Sequence, residues 1–497
     1  MKWDGIFKET FYISSIHFST KILGFLEKLL IAYIFGASGI SDAYFFSFSV
    51  FIIIFDFFNE TTSPALLPEY VKTFSKWDKK KLFNSAFSYM IAIGFTLSLL
   101  IFSFAPWIIN TFSKFPDNTS VLSITYLRII SIGIGFVITS ISTYLFINSD
   151  QKFLPASLGD LMFKITGSIF ILYILIEKKV GLTPLAIGTA VGSLLKIGTH
   201  FIYLKKRNLT PSISFNSSIK KVFKLSSPMI AGVFFSKFRI LFDNYLVSGM
   251  AIGSITALQY GYRVMEFGIV VLLEPFTTVI FPELVNLTKN THLFIERISS
   301  SLKLLLTIFL PVSILSFYFR TDIITALFGR GAFEQTDILI TSSAFSYYAL
   351  SMSFICMDFL LSRSLFALGD TSFPPFFEIV SIVFHVIFAI SFKYYGIHII
   401  SLAFFLNRVI KSTLLYIRFR FKTGFHLKTG YYIPKIIIFL VFNTFLINIL
   451  KNFTIFFHNG RLVRFLIFSI TFMVLYIIEL YFSGITKEIS AMFKSDK

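Results

Sequence analysis

Residues 11–68, FYISSIHFSTKILGFLEKLLIAYIFGASGISDAYFFSFSVFIIIFDFFNETTSPALLP, decide how the rest of the chain is read. They form two apolar segments, Phe11–Phe35 and Asp42–Leu67, joined by the turn Gly36-Ala37-Ser38-Gly39. Each exceeds the roughly 20 residues that a helix needs to cross the hydrocarbon core of a bilayer. Both carry charge: Lys21, Glu27 and Lys28 in the first, Asp56 and Glu60 in the second, with Asp42 at the turn. A charge at membrane depth costs at least about 2.5–3.5 kcal/mol on insertion scales, so it faces a bundle interior or a watery cavity. The pair therefore reads as two helices lining a polar path through a membrane transporter.

Composition supports that reading. The 497 residues are 55% hydrophobic and 14% charged, which predicts an all-α polytopic membrane protein rather than a soluble multidomain chain. The net charge of +19 does not imply a nucleic-acid partner, because the cations cluster between apolar segments and form no continuous basic face. A single cysteine, Cys356, excludes a disulfide framework and a cysteine metal site. The first apolar segment is too long for a cleavable leader and lacks an A-x-A site.

Windows of membrane length predict fourteen spanning segments, at about 11–35, 42–67, 83–112, 121–148, 156–176, 184–204, 225–249, 253–281, 302–319, 338–367, 374–394, 397–417, 432–450 and 463–483. Loops after even-numbered segments are rich in lysine and arginine: Lys72, Lys76, Lys79, Lys80 and Lys81, then Lys205, Lys206, Arg207, Lys220, Lys221 and Lys224, then Arg418, Arg420, Lys422 and Lys428. Loops after odd-numbered segments are poorer, so both termini are expected in the cytoplasm. Residues 282–301 are expected to form an amphipathic helix on the membrane surface. Residues 320–337 are expected to form an external connection turning at Gly329-Arg330-Gly331. Pro64, Pro228, Pro275 and Pro311 fall inside segments and predict kinks or broken helices. Gly188 and Gly192 signal close helix packing.

A faint repeat links Ser19-Thr20-Lys21 and Ser41-Asp42-Ala43 with Phe235-Ser236-Lys237 and Thr256-Ala257. It implies two six-helix halves, 1–224 and 225–430, followed by two extra helices and a tail in 431–497.

No phosphate-binding loop or H-E-x-x-H motif occurs, so neither an enzyme nor a resident cofactor is expected. Transport would then draw on the membrane potential or on a sodium or proton gradient. The informative residues are the charges inside segments. Segment seven carries Lys237, Arg239 and Asp243. Segment eight carries Arg263, Glu266 and Glu274, and segment ten Asp358 and Arg363. Excess cations at membrane depth suit an anionic cargo such as a pyrophosphate-linked lipid. The competing reading pairs each cation internally: Lys28 with Glu27 or Asp42, Lys237 with Asp56, Arg263 with Glu266. The candidate binding set is Lys21, Lys28, Asp42, Lys237, Arg239, Arg263 and Glu266. Glu27, Asp56, Glu60 and Asp243 are candidates for gating or ion coupling.

Several stretches resemble the MurJ/MviN lipid II flippases, a branch of the multidrug/oligosaccharidyl-lipid/polysaccharide exporter superfamily. They are Thr20-Lys21-Ile22-Leu23-Gly24-Phe25, Ser41-Asp42-Ala43-Tyr44-Phe45, Ser63-Pro64-Ala65-Leu66-Leu67-Pro68, Tyr262-Arg263-Val264-Met265-Glu266-Phe267, Leu327-Phe328-Gly329-Arg330-Gly331-Ala332-Phe333 and Ala367-Leu368-Gly369-Asp370-Thr371. They occur in the family's order. The resemblance implies an inner-membrane protein of fourteen helices whose last two helices form a lipid-tail groove, and a monomer contacting membrane lipids is expected. It implies flipping of undecaprenyl-pyrophosphate-linked peptidoglycan precursor to the outer leaflet, with cations of the first, second and eighth segments on the pyrophosphate. Alternatives are a flippase for another polyprenyl-linked oligosaccharide, or a multidrug cation antiporter.

The chain departs from the family pattern. An Arg-Asp pair of the family falls on Glu27 and Lys28, with the charges exchanged, and an Arg-Arg pair falls on Phe55 and Asp56. Lys237 and Arg239 stand where the family is usually uncharged, and are candidate replacements. Asp243 matches the acidic member of a sodium site reported in some members, whereas His385 and Ala389 replace its expected Asn and Asp partners.

Overall fold

The computed structural model describes residues 3–73, 76–150, 152–177, 180–215, 219–427, 432–453, 461–483 and 485. Among these residues the chain is helical and holds no strand. In chain order the helices are α1 (Trp3–Phe35), α2 (Gly39–Lys72), α3 (Lys76–Phe112), α4 (Asp117–Ser149), α5 (Phe153–Glu177), α6 (Thr183–Lys206), α7 (Lys220–Ser248) and α8 (Ser254–Leu287). They continue as α9 (Thr291–Tyr318), α10 (Arg320–Phe328), α11 (Gln335–Ala367), α12 (Phe373–Phe392), α13 (His398–Thr423), α14 (Tyr432–Phe453) and α15 (Arg461–Phe482). All but the nine-residue α10 are long. Among the described residues nine (α2 to α6, α9, α11, α12 and α13) carry a window apolar and uncharged enough to cross a membrane.

The chain divides into two compact units. One comprises residues up to 259 together with 330–337, and the other comprises 260–329 and 338 onward. By this division α7 belongs with α1–α6. Segment 330–337 joins the first unit through backbone contacts. The Ala332 N–H donates to the Tyr33 carbonyl at 2.8 Å, and the Ala37 N–H donates to Asp337 Oδ2 at 3.1 Å.

Lipid is as apolar as leucine, so helices associate in a membrane through close packing rather than exclusion of water. Stacked aromatics provide much of that packing. In the first unit Phe83 of α3 lies on Phe146 of α4 with ring centroids 4.0 Å apart, beside Tyr70 of α2 and Leu204 of α6. In the second unit Tyr432, Ile436 and Leu440 of α14 pack with Phe468, Phe472 and Tyr476 of α15 against Phe319. Tyr476 donates its hydroxyl to the Thr307 carbonyl at 3.1 Å, which ties α15 to α9.

One expectation is corrected, and another is narrowed from breaks or kinks to kinks alone. Residues 282–301 are not one surface helix: α8 runs to Leu287, and α9 starts at Thr291. The break lies at Asn290, whose extended backbone and side chain cap α9, Oδ1 accepting the Leu293 N–H at 3.2 Å. The first turns of α9 bury Phe294, Ile295 and Ile298, so that face is core. The prolines break no helix either, since α2, α7, α8 and α9 run unbroken through Pro64, Pro228, Pro275 and Pro311. Within a bundle, neighbouring helices and small adjustments satisfy the carbonyl that a proline frees.

Candidate functional site

In the first unit, α1 carries three of the predicted residues. Lys21 is exposed, while Glu27 and Lys28 are buried. Lys28 Nζ donates to Glu27 Oε1 at 2.7 Å, so the exchanged pair is an internal ion pair. The same ammonium lies 5.1 Å from the Phe45 ring and 5.0 Å from that of Phe48, on α2. Glu27 approaches α5 closely because residue 167 is glycine: a Cβ there would stand 2.9 Å from Glu27 Oε2.

Asp42, in the first turn of α2, is a cap for another helix. Its Oδ2 accepts the Gly253 N–H at 2.6 Å, and its Oδ1 accepts the Thr256 N–H at 2.8 Å and the Thr256 hydroxyl at 2.7 Å. Those N–H groups open α8 and have no partner within the helix. Gly253 has φ +88°, and a Cβ there would collide with the Ala37 carbonyl, so the turn requires glycine.

Lys237 of α7 is buried and reaches two carboxylates one turn apart on α2. Its Nζ is 3.0 Å from Asp56 Oδ2 and 2.8 Å from Glu60 Oε1. The acids are the more exposed partners, at 31% and 47% of their side chains, so the trio sits at the rim of the packed interior. Two residues further along α7, Arg239 binds Asp243, one turn on from it, at 2.7 Å, both buried. In the second unit Arg263 and Glu266 of α8 pair as an i,i+3 couple.

Sequence reasoning missed two further clusters. In the first unit Lys196 of α6 meets Asp160 of α5 at 2.6 Å and lies 4.6 Å from the Phe55 ring. One turn on, His200 joins three helices, with Nε2 3.0 Å from the Ala156 carbonyl and Nδ1 2.9 Å from the Thr143 hydroxyl. In the second unit Arg408 and Lys411 of α13 each bind both Asp358 of α11 and Glu378 of α12, at 2.6–3.0 Å. The two clusters occupy matching places. Lys196 stands thirteen residues after Thr183, which opens α6, and Lys411 thirteen after His398, which opens α13. The signal was available: each of these charged residues lies inside a predicted spanning segment, where a charge demands a partner. His385 and Ala389 are buried on α12 of the second unit. Among the described residues no cluster of His, Cys, Asp and Glu has the makings of a metal site.

Long apolar helices with buried, mutually compensated charges define a multi-pass membrane transporter, and known folds agree. The chain resembles an inward-facing multidrug resistance MATE family transporter of the MOP superfamily, with a TM-score of 0.69 at 13% identity, covering 82% of this chain and 94% of the other. It is more similar to a structure of the lipid II flippase MurJ in an inward closed conformation, with a TM-score of 0.81 at 25% identity, covering 96% and 98%. The model of the lipid II flippase MurJ family matches residues 31–476, and the chain belongs to that family. Among its relatives are the probable lipid II flippases of Buchnera aphidicola subsp. Baizongia pistaciae, 25% identical over 83% of each chain, and of Aquifex aeolicus, 23% identical over 80% of each.

Proposed function

We propose that this protein carries lipid II, the undecaprenyl-pyrophosphate-linked precursor of peptidoglycan, from the cytoplasmic to the outer leaflet of a bacterial cytoplasmic membrane. The observation that carries the reading is the family match over residues 31–476. The site chemistry supports it. A diphosphate is a strong acceptor for lysine and arginine, and a protein that moves it through hydrocarbon must offer cations at membrane depth. Here most buried cations rest on carboxylates, so the cargo's diphosphate competes for a cation already satisfied at rest. Lys237 suits such exchange, because its two carboxylate partners lie at the accessible rim. Exchange of one anion for another keeps the interior neutral throughout the crossing.

The protein works without chemistry on the cargo and as a monomer among membrane lipids. Energy comes from the membrane potential or an ion gradient. Both termini face the cytoplasm, as the lysine- and arginine-rich loops indicate. Two six-helix halves, 1–224 and 225–430, alternate access to the site, and the last two helices serve the lipid tail.

A second reading, transport of another polyprenyl-linked glycan, is favoured by the exchanged Glu27–Lys28 pair and by Phe55 and Asp56 where arginines are expected. Expression in cells depleted of their own lipid II flippase separates the two. Growth with the parent chain supports lipid II. Lysis despite a well-expressed, membrane-inserted chain moves the cargo to another glycan.

A further inference from the structure

Lys164 of α5 differs from the buried lysines around it. Lys28, Lys196 and Lys237 each have a carboxylate at 2.6–3.0 Å. Lys164 is half-buried, and among the described residues no carboxylate lies within 4 Å of its ammonium. Its charge faces the Phe163 ring at 5.6 Å and the Phe48 ring at 6.0 Å. Contacts of that kind contribute about 0.5–2 kcal/mol, less than the desolvation of an ammonium costs.

Two surrounding features show where this charge is directed. A Cβ on Gly24 would lie 3.5 Å from Lys164 Nζ, so the ammonium passes over the one place on this part of α1 without a side chain. Lys21 precedes Gly24 by three residues and is exposed, and Lys28 follows it by four, so the three share one face of α1. Behind Lys164, between α1, α2, α5 and α6, lies a cavity lined among others by Glu27, Tyr44, Phe48 and Thr189, with room for about one water. A diphosphate does not fit there. The ligand is therefore met on the Lys21 side of Gly24.

We infer that Lys164, reaching over Gly24 toward Lys21, binds a phosphate of the cargo's diphosphate. The inference rests on the lipid-diphosphate reading above. It places on α5 positive charge that Phe55 removes from α2. A diphosphate spreads its charge over two groups, and the Lys164 ammonium beside Gly24 is offered to one of them.

The test is binding of undecaprenyl diphosphate to the full-length protein in detergent, followed by native mass spectrometry, for the parent, Lys164→Met and Lys164→Arg. A lost charge-assisted contact weakens binding about tenfold or more in Lys164→Met, while Lys164→Arg stays within about threefold. A measurement on the parent alone covers the case in which Lys164→Met fails to fold. Undecaprenyl diphosphate should protect Lys164 from acetylation, and inorganic pyrophosphate should do so only at far higher concentration. Equal binding by the parent and Lys164→Met, or unchanged acetylation of Lys164, overturns the inference and leaves the diphosphate reading standing. A parent that binds no undecaprenyl diphosphate overturns both.

Discussion

Glu378→Gln removes one of the two carboxylates that hold Arg408 and Lys411. In the parent, two cations and two anions make four contacts of 2.6, 2.8, 2.8 and 3.0 Å, and every side chain is 15% exposed or less. The substitution keeps shape and one acceptor oxygen but leaves two buried cations facing Asp358 alone. Breaking a buried pair from one side costs about 3–5 kcal/mol, because the remaining charge has no counter-ion. Lys411→Met unbalances the cluster with the opposite sign and should cost a similar amount. The double variant leaves Arg408 facing Asp358, and neutrality returns. It should therefore be more stable than the sum of the singles by at least about 2 kcal/mol. The protein carries its own reporter. Cys356, its single cysteine, is fully buried on α11 two residues before Asp358. A thiol-reactive dye reaches it only when this part of the second unit opens. A loss of 3–5 kcal/mol raises the open population roughly a hundred- to several-thousand-fold, since each 1.4 kcal/mol is tenfold. The expected order of labelling rates is parent, then the double variant, then the two singles. Singles that label within threefold of the parent, or a double variant that labels as fast as the summed penalties require, would refute the charge-balance argument.

Lys237 has two acceptors, so its partners should be redundant. Glu60→Gln alone should cost about 0.5–1 kcal/mol, as for an exposed ion pair, whereas Asp56→Asn with Glu60→Gln should cost about 3 kcal/mol or more, measured by thermal unfolding in detergent. Asp42→Ala leaves two N–H groups and one hydroxyl at the start of α8 without their acceptor, and should lower stability by about 1–3 kcal/mol in unfolding followed by helical circular dichroism. Gly167→Ala pushes a methyl against Glu27 Oε2 and should disturb the Glu27–Lys28 pair, reducing flippase complementation more than Gly198→Ala, where a Cβ meets nothing within 4 Å.

The long helices were legible because apolar windows bounded by basic loops are a strong signal, and α2, α4 and α6 begin within a few residues of their predicted starts. The failures have a common cause. Residues 282–301 mix polar and apolar residues in a way that suits an interfacial helix, and nothing in that pattern reveals that Asn290 folds its side chain back as a cap. The short helix α10 was read as connection because nine residues give periodicity little to register. At the site, pairs close in sequence were legible: Glu27 with Lys28, Arg263 with Glu266. So was Lys237 with Asp56, because opposite charges in two spans need each other. Asp160 with Lys196, and Glu378 with Arg408 and Lys411, went unread although all five lie inside predicted spans. One or two charges hardly dent the hydropathy of a long window, and their partners sit tens of residues away in the chain. The role of Asp42 was hidden for a different reason, since a side-chain cap on a distant helix leaves no trace in local pattern.

The adjacency of Glu27 and Lys28 bears on how such a chain diverges. Two opposite charges on neighbouring residues of one helix, bonded to each other, form a dipole whose net charge is unchanged when the residues trade places. The surrounding packing sees a zero either way, so inversion costs far less than losing either member. A position-by-position comparison scores that inversion as two lost residues, whereas the membrane interior registers none.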